Sequence, residues 1–340
     1  MYSMIEEGSV KAYVHTAEKI SKELPVFYNP AMKFNRDISV LLLKQFPPMS
    51  LCDLMAASGI RAVRFAKELK FKSLTANDHD KESMKLIKKN MKLNKVSFTV
   101  ENKDANRLLL ESKGFDYIDV DPFGSPNPFL DMAVKKISRG GLLAVTATDT
   151  AALTGTYPKS TLRKYWAISK KNELMHETGL RILIRKVQLV AAQYDKAMVP
   201  VFSFFKDHYF RAFFQCAKGK EEVDRIVKEH GMLNGAGPLW LGQLFDMGLT
   251  AKMLKSCKGM NDKELEKFMK IVNDESKIKT AGFFDIHAIV EREGIKHIRK
   301  KEEVVKEARK AGFKCSETHF SGTGIRSDIS YERLLRILKQ

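Results

Sequence analysis

Four short apolar segments, each running into an acidic residue, constrain this chain more than any other feature. They are Ser50-Leu51-Cys52-Asp53, Lys72-Ser73-Leu74-Thr75-Ala76-Asn77 ending in Asp78, Ser97-Phe98-Thr99-Val100-Glu101-Asn102 followed by Asp104-Ala105, and Asp116-Tyr117-Ile118-Asp119-Val120-Asp121. Helix-period stretches lie between them, among them the run from Ile60 through Leu69. Strands alternating with helices from Leu51 to Val145 predict a parallel α/β core. Ligands of open α/β sheets bind outside the carboxyl ends of the strands, so four such ends carrying acids describe one nucleoside-shaped crevice.

The last segment continues into Pro122-Phe123-Gly124. An alternating strand that ends in an acid, a proline and an aromatic suits chemistry on an exocyclic base amine, whose lone pair is delocalised and a poor nucleophile. The Asp121 carboxylate and the Pro122 carbonyl can accept hydrogen bonds from the amine, orient its lone pair and offset developing positive charge. Phe123 can stack on a flipped-out base. Asp, Pro and Gly also punctuate structure, and a plain strand-ending turn reads the tetrapeptide equally well on its own.

The upstream segments favour the chemical reading. Small residues from Ala56 to Gly59 let a ligand approach the backbone ahead of a helix. Asp78 lies 25 residues beyond Asp53, a spacing that suits an acid on ribose hydroxyls, and Asp104 can accept from an adenine amine. A nicotinamide dinucleotide is the obvious competitor, but the first loop carries one glycine, Gly59, where a pyrophosphate needs three. S-adenosylmethionine has no phosphate and needs no such cluster.

With these residues the chain resembles the class I S-adenosylmethionine-dependent methyltransferases and, within them, the tRNA (guanine(26)-N(2))-dimethyltransferases in their compact archaeal style. The resemblance spans nearly the whole chain. Besides Asp53 to Arg61 and Asp121 to Pro126 it includes Val26-Phe27-Tyr28-Asn29-Pro30, Asn35-Arg36-Asp37, Asp104-Ala105-Asn106-Arg107, Val145-Thr146-Ala147-Thr148-Asp149, Lys206-Asp207-His208-Tyr209-Phe210-Arg211-Ala212 and Thr318-His319-Phe320-Ser321. It implies a Rossmann-like methyltransferase sheet, parallel with a final antiparallel hairpin, plus a smaller, mainly helical α+β C-terminal domain. It also implies S-adenosylmethionine as cofactor, tRNA as partner, and transfer of one or two methyl groups to the N(2) amine of guanine 26. Arg36 and Arg61 become contacts near the methionine carboxylate, Asp53 part of the cofactor loop, Asp78 the ribose acid, and Asp104 with Ala105 the adenine site. Asp121 with Pro122 becomes the catalytic acceptor, and Phe27 and Phe123 hold the guanine between two aromatic faces. Some relatives carry a four-cysteine zinc site, whereas Cys52, Cys216, Cys257 and Cys315 form no Cys-x-x-Cys pair, so no metal is expected.

Composition agrees from outside. A chain of 340 residues, 44% hydrophobic, can bury a large core and is expected to hold two domains. The Glu6-Glu7 start lacks the basic and apolar regions of a signal peptide, and no apolar run approaches membrane-spanning length, so a cytoplasmic protein is expected. The net charge of +18 is the usual footprint of a nucleic-acid partner. From Asp246 onward 21 Lys and Arg face 15 Asp and Glu, leaving two thirds of the excess on the first 245 residues, so both parts are expected to touch RNA. Lys85, Lys88, Lys89 and Lys92, opposite a stripe of Met84, Ile87 and Met91, read as the solvated face of a helix covering the sheet, and Lys296 to Lys310 read similarly. The eight histidines show no paired-ligand spacing.

Along the chain, residues to about Pro30 read as a strand-rich extension with a turn at Tyr28-Asn29-Pro30, Asn35 to Gln45 as a helix, and Thr146 to Pro158 as a loop. A helix around Leu180 to Tyr194 leads to two apolar runs, Met198 to Phe205 and Tyr209 to Ala217, that read as a hairpin. The expected division is a methyltransferase domain over 1–245 and a winged-helix-like tRNA-binding domain over 246–340, with helices flanking Gly294 and Gly312 before a turn at Gly322 and Gly324. Two other functions remain open at this point: the same chemistry on another RNA or DNA base, and a non-enzymatic RNA-binding protein on the same fold. The sequence is silent on oligomeric state.

Overall fold

The computed structural model describes residues 2–15 and 25–339. Strands β1 (Tyr2–Glu7) and β2 (Val10–His15) pair antiparallel, turning at Gly8, whose φ of 58° suits glycine. Next come α1 (Lys33–Leu43), β3 (Ser50–Asp53), α2 (Ile60–Glu68), β4 (Ser73–Asn77), α3 (Lys81–Asn94), β5 (Thr99–Glu101), α4 (Ala105–Glu111), β6 (Phe115–Val120), α5 (Asn127–Lys136) and β7 (Ile137–Ala147). The expected loop after β7 contains a short helix, α6 (Thr150–Leu153), and runs into α7 (Pro158–Tyr165) and α8 (Met175–Ala192). The two apolar runs become β8 (Lys196–Lys206) and β9 (Tyr209–Lys218), joined through Asp207 at φ 51°.

The main sheet has the order β5-β4-β3-β6-β7-β9-β8. Its first five strands are parallel, and the two-residue link makes β8 and β9 an antiparallel pair. Leu51, Cys52, Leu74, Tyr117, Ile118, Leu142 and Leu143 are almost wholly buried, as a sheet covered on both faces requires.

The remaining elements are α9 (Lys220–Lys228), β10 (His230–Leu233), β11 (Ala236–Trp240), α10 (Met247–Cys257), α11 (Lys263–Glu275), β12 (Phe284–Asp285), α12 (Ile286–Arg292), α13 (Lys301–Lys310), β13 (Cys315–Thr318), β14 (Ser321–Ser327) and α14 (Tyr331–Leu338). Strands β12, β14 and β13 form a small antiparallel sheet, packed with α12, α13 and α14 around Ile286, Val304, Ala308, Ile325 and Leu334.

The chain forms two compact units: Met1–Thr146 with Val190–Val199 and Phe213–Glu222, and Ala147–Leu189 with Pro200–Ala212 and Val223–Gln340. The expected boundary after residue 245 falls inside the second unit. Strands β8 and β9, of 11 and 10 residues, are long enough for their two ends to serve different units.

In the first unit, α3 turns Leu86 and Ile87 inward with Asn90 and Asn94, and exposes Lys85, Lys88, Lys89 and Lys92. Asn90 and Asn94 bind the β2 backbone at Tyr13 and Lys11, using side-chain amides as substitute strand partners. The hairpin thereby lies on α2 and α3, burying Val10, Ala12 and Val14 against Ile60 and Val63.

Candidate active site

Strands β3 and β6 run side by side with Asp53 opposite Asp119. The two-residue period of a strand puts Tyr117, Asp119 and Asp121 on one face, so three acids from two strands converge. Asp53 and Asp119 are buried and Asp121 lies at the rim. Such a cluster requires a cation, and Arg61 in the first turn of α2 supplies it. Its guanidinium donates to Asp121, lies 3.2 Å from Asp119 and 3.9 Å from Asp53, and donates to Asn35 Oδ1 at 3.0 Å and Ser39 Oγ at 3.1 Å. The Tyr117 hydroxyl donates to Asp119 at 2.5 Å.

One guanidinium does not neutralise three carboxylates. Burial first, and then Asp119, Asp121 and Asp78, push the Asp53 carboxyl up to about 7 against the pull of Arg61. The same acids outweigh burial at Arg61 and hold its proton more tightly than usual. Asp53 Oδ2 is buried without a hydrogen-bond partner. The cluster is therefore short of positive charge, and a cationic ligand at its rim would relieve it.

The loop between β3 and α2 is knitted to the neighbouring strand ends. Leu54 N–H donates to the Asp119 carbonyl, Ala56 N–H to the Asn77 carbonyl, and Ala57 N–H to Asp78 Oδ2 at 2.8 Å. Ala57 holds φ 47°, and that last bond offsets part of the left-handed strain. Gly59 has φ 74°, and a Cβ there would meet Ile87 Cγ1 at 2.8 Å, so the position excludes side chains twice over.

Asp78 and Asp104 follow the carboxyl ends of the parallel strands β4 and β5, as Asp121 follows β6. Asp78, nearly buried, also accepts from Asp80 N–H at 3.0 Å. Asp104 is exposed and caps α4 through Arg107 N–H, with Ala105 buried behind it. Phe27 and Phe123 come together, but edge to face, with centroids 4.3 Å apart and planes at 77°. A base between two stacked rings needs about 7 Å, twice an aromatic contact distance, so a sandwich requires one ring to swing. Phe123 is 48% exposed and is the ring with room to do so. Arg36 departs furthest from expectation. Its Nε and one Nη donate to both carboxylate oxygens of Glu7, at 2.7 and 2.6 Å, away from the Arg61 cluster's hydrogen bonds.

A family model described as N2,N2-dimethylguanosine tRNA methyltransferase matches residues 8–236 and 230–339. The chain belongs to this family. Among its relatives, the tRNA (guanine(26)-N(2))-dimethyltransferase of Pyrococcus abyssi is 37% identical, covering 98% of this chain and 97% of that protein. The tRNA (guanine(26)-N(2)/guanine(27)-N(2))-dimethyltransferase of Aquifex aeolicus is 34% identical over 99% of this chain and 96% of that protein. The solved complex of Trm1 from Pyrococcus horikoshii with S-adenosyl-L-methionine superposes with a TM-score of 0.91 at 34% identity, covering 99% of this chain and all of that one.

Within this dimethyltransferase fold, sequence reasoning missed Asp119, Asn35, Ser39 and Glu7. Asp119 had a signal, since it shares a strand face with Asp121. Glu7 had none. It answers Arg36 and Arg64 from 29 and 57 residues away, and those two guanidiniums overcome its burial and lower its pKa. Among the described residues, no group of three or more His, Cys, Asp or Glu is arranged to hold a metal ion, and no helix is long and apolar enough to cross a membrane.

Proposed function

We propose that this chain transfers methyl groups from S-adenosylmethionine to the N(2) amine of guanine 26 in tRNA, giving the dimethylated base, in the cytoplasm. The observation that carries the reading is the match to curated dimethyltransferases along the whole chain, joined to a strand end that presents Asp121, Pro122 and Phe123 beside the acids gathered on Arg61. The residues present suit the cofactor. Its sulfonium and ammonium outweigh its one carboxylate, so it brings a net positive charge of the kind that Asp53, Asp119 and Asp121 lack, and it carries no phosphate for the single-glycine loop to cradle.

When bound, the cofactor supplies an electrophilic methyl on a cationic sulfur. The chain positions the nucleophile. Arg61 fixes the Asp121 carboxylate, whose remaining lone pairs can accept from the guanine amine as it gains positive charge in transfer. The S–C bond breaks as the N–C bond forms, and the amine proton leaves to Asp121 or to water. Asp78 and the Ala57 N–H it holds shape the nucleoside side of the crevice, and Phe123 offers a ring to the extruded base.

Mass spectrometry of nucleosides from unmodified tRNA incubated with the protein and S-adenosylmethionine tests this directly. The expected product is N2,N2-dimethylguanosine at position 26, lost when the tRNA carries adenine in place of that guanine. A methylated adenine, or no methylated nucleoside, would overturn the reading.

A further inference from the structure

Outside the crevice, the second unit carries a segment whose chemistry is otherwise unexplained. From Tyr157 to Lys171 the chain has five cations, Lys159, Arg163, Lys164, Lys170 and Lys171, and no Asp or Glu. Four of the eleven exposed large apolar side chains of the described residues fall within it: Tyr157, Leu162, Trp166 and Ile168 at 50–62% exposure. Helix electrostatics do not account for the charge. Arg163 and Lys164 suit the last turn of α7, but Lys159 sits in the first turn, where a cation opposes the dipole and no acid compensates.

The Trp166 side chain is held rather than loose. Trp166 sits at φ 55° as the C-cap of α7, with Lys186 Nζ 3.1 Å from its ring centroid and its carbonyl accepting from Arg185 at 3.2 Å. Ile168 bridges to Gly237, so this edge is pinned to the chain just before β11's proline. Lys164 is engaged by Asp149 at 3.3 Å. The other four cations lie exposed along the same segment.

We infer that the face formed by Tyr157, Lys159, Arg163, Trp166, Lys170 and Lys171 is a contact surface for the tRNA substrate, the cations meeting phosphates and the aromatic rings meeting a base or ribose. Exposed rings interleaved with unopposed cations are the combination that nucleic acids reward, stacking supplying one part of the affinity and counterion release the other. The inference rests on the tRNA reading above and assigns part of that binding to the second unit before residue 245.

Two measurements test it on the full chain. In the first, tRNA affinity is followed against salt by fluorescence anisotropy for the parent protein and for Lys159→Ala/Arg163→Ala/Lys170→Ala/Lys171→Ala, with S-adenosylmethionine affinity by calorimetry as the check on folding. The variant is expected to bind about tenfold or more weakly near 0.1 M salt, with a salt slope flatter by about 0.7–0.9 for each phosphate that is no longer neutralised. In the second, lysine acetylation of the parent protein with and without tRNA is expected to protect Lys159, Lys170 and Lys171 but not Lys85, Lys88 or Lys92. Unchanged affinity and slope, or equal acetylation with and without tRNA, would overturn the surface while leaving the activity reading intact. A parent protein that binds no tRNA would overturn both.

Discussion

The two units each bury a cluster of charge, and the clusters are balanced in opposite ways. In the second unit Glu177 accepts from Arg181 at 2.8 Å, Arg326 at 2.7 Å and Gly282 N–H at 2.9 Å. Glu275 accepts from Arg326 at 2.9 Å, Thr318 at 2.5 Å and His319 at 2.6 Å. The spare donors of both arginines reach backbone carbonyls of Trp240, Gly242, Thr280 and Gly282. Burial alone would raise the Glu275 pKa, but His319 and Arg326 beside it hold it at about 2. In the first unit three acids share Arg61, Asp53 is driven up to about 7, and one of its oxygens is unanswered. In the second unit the acids are matched by cations, although His319 Nε2 is buried without a hydrogen-bond partner; in the first the acids outnumber their one cation, and a buried cluster short of a charge points to a ligand.

Removing Asp121 should have the largest effect. Asp121→Ala is expected to lower single-turnover methyl transfer about 10²- to 10³-fold, with tRNA binding retained, because the missing acceptor matters most as the amine becomes positive. Asp121→Asn keeps an acceptor without the charge and separates orientation from electrostatics. Transfer by Asp121→Ala within a few-fold of the parent would return the motif to a structural turn.

The second unit should answer in stability instead. Glu275→Ala leaves Arg326 buried with only Glu177 opposite it, and denaturant unfolding should register a loss of about 3–5 kcal/mol. Asp53→Asn, removing a charge from an overloaded cluster, should cost far less. Equal losses would erase the distinction. The same network makes truncation at 245 an unsound probe of RNA binding, since it would strip Arg326 and leave Glu177 buried beside Arg181 alone.

Asp78 stands between the two behaviours, because the proposed cofactor site includes it and it also holds the loop through Ala57 and Asp80 N–H groups. Asp78→Ala should weaken cofactor binding by about 1.5–3 kcal/mol, measured by calorimetry on protein that unfolds cooperatively. Unchanged affinity would remove it from the site.

The clusters should also oppose each other with pH. The native pKa of Asp53 lies above its unfolded value, so its contribution to stability is complete below about pH 4 and declines as pH rises towards 7. The native pKa of Glu275 lies below its unfolded value, so its contribution is present above about pH 4.5 and is lost as pH falls towards 2. Asp53→Asn should therefore gain on the parent as pH rises from about 4 to 7, and Glu275→Gln should fall behind it as pH rises from about 2 to 4.5. Differences of the same sign, or confined to one window, would refute the assignment.

Much of this is legible in the chain because it is local. Strand ends carrying Asp53, Asp78, Asp104 and Asp121 are announced by short apolar runs, and the β8–β9 hairpin by two such runs around Lys206-Asp207-His208. What is illegible depends on residues far apart in sequence. Arg36 reads as a ligand contact, and nothing local announces the pair it makes with Glu7, 29 residues away. Phe27 and Phe123 lie together, but the angle between them follows from packing that no short motif records. Thr318-His319 reads as part of a motif, while its partner Glu275 lies more than 40 residues earlier. The division of β8 and β9 between two units has no local mark, since both ends are equally apolar.

Calorimetric titration of S-adenosylmethionine between pH 5.5 and 7.5 asks most directly whether the first unit's cluster is waiting for a cation. Affinity of the parent should rise as pH passes through about 7 and Asp53 ionises, roughly three- to tenfold, the size of one charge acting across several ångströms of partly solvated protein. Asp53→Asn should bind at the parent's low-pH level throughout. A parent protein whose affinity does not change with pH, or a variant that keeps the full rise, would contradict it.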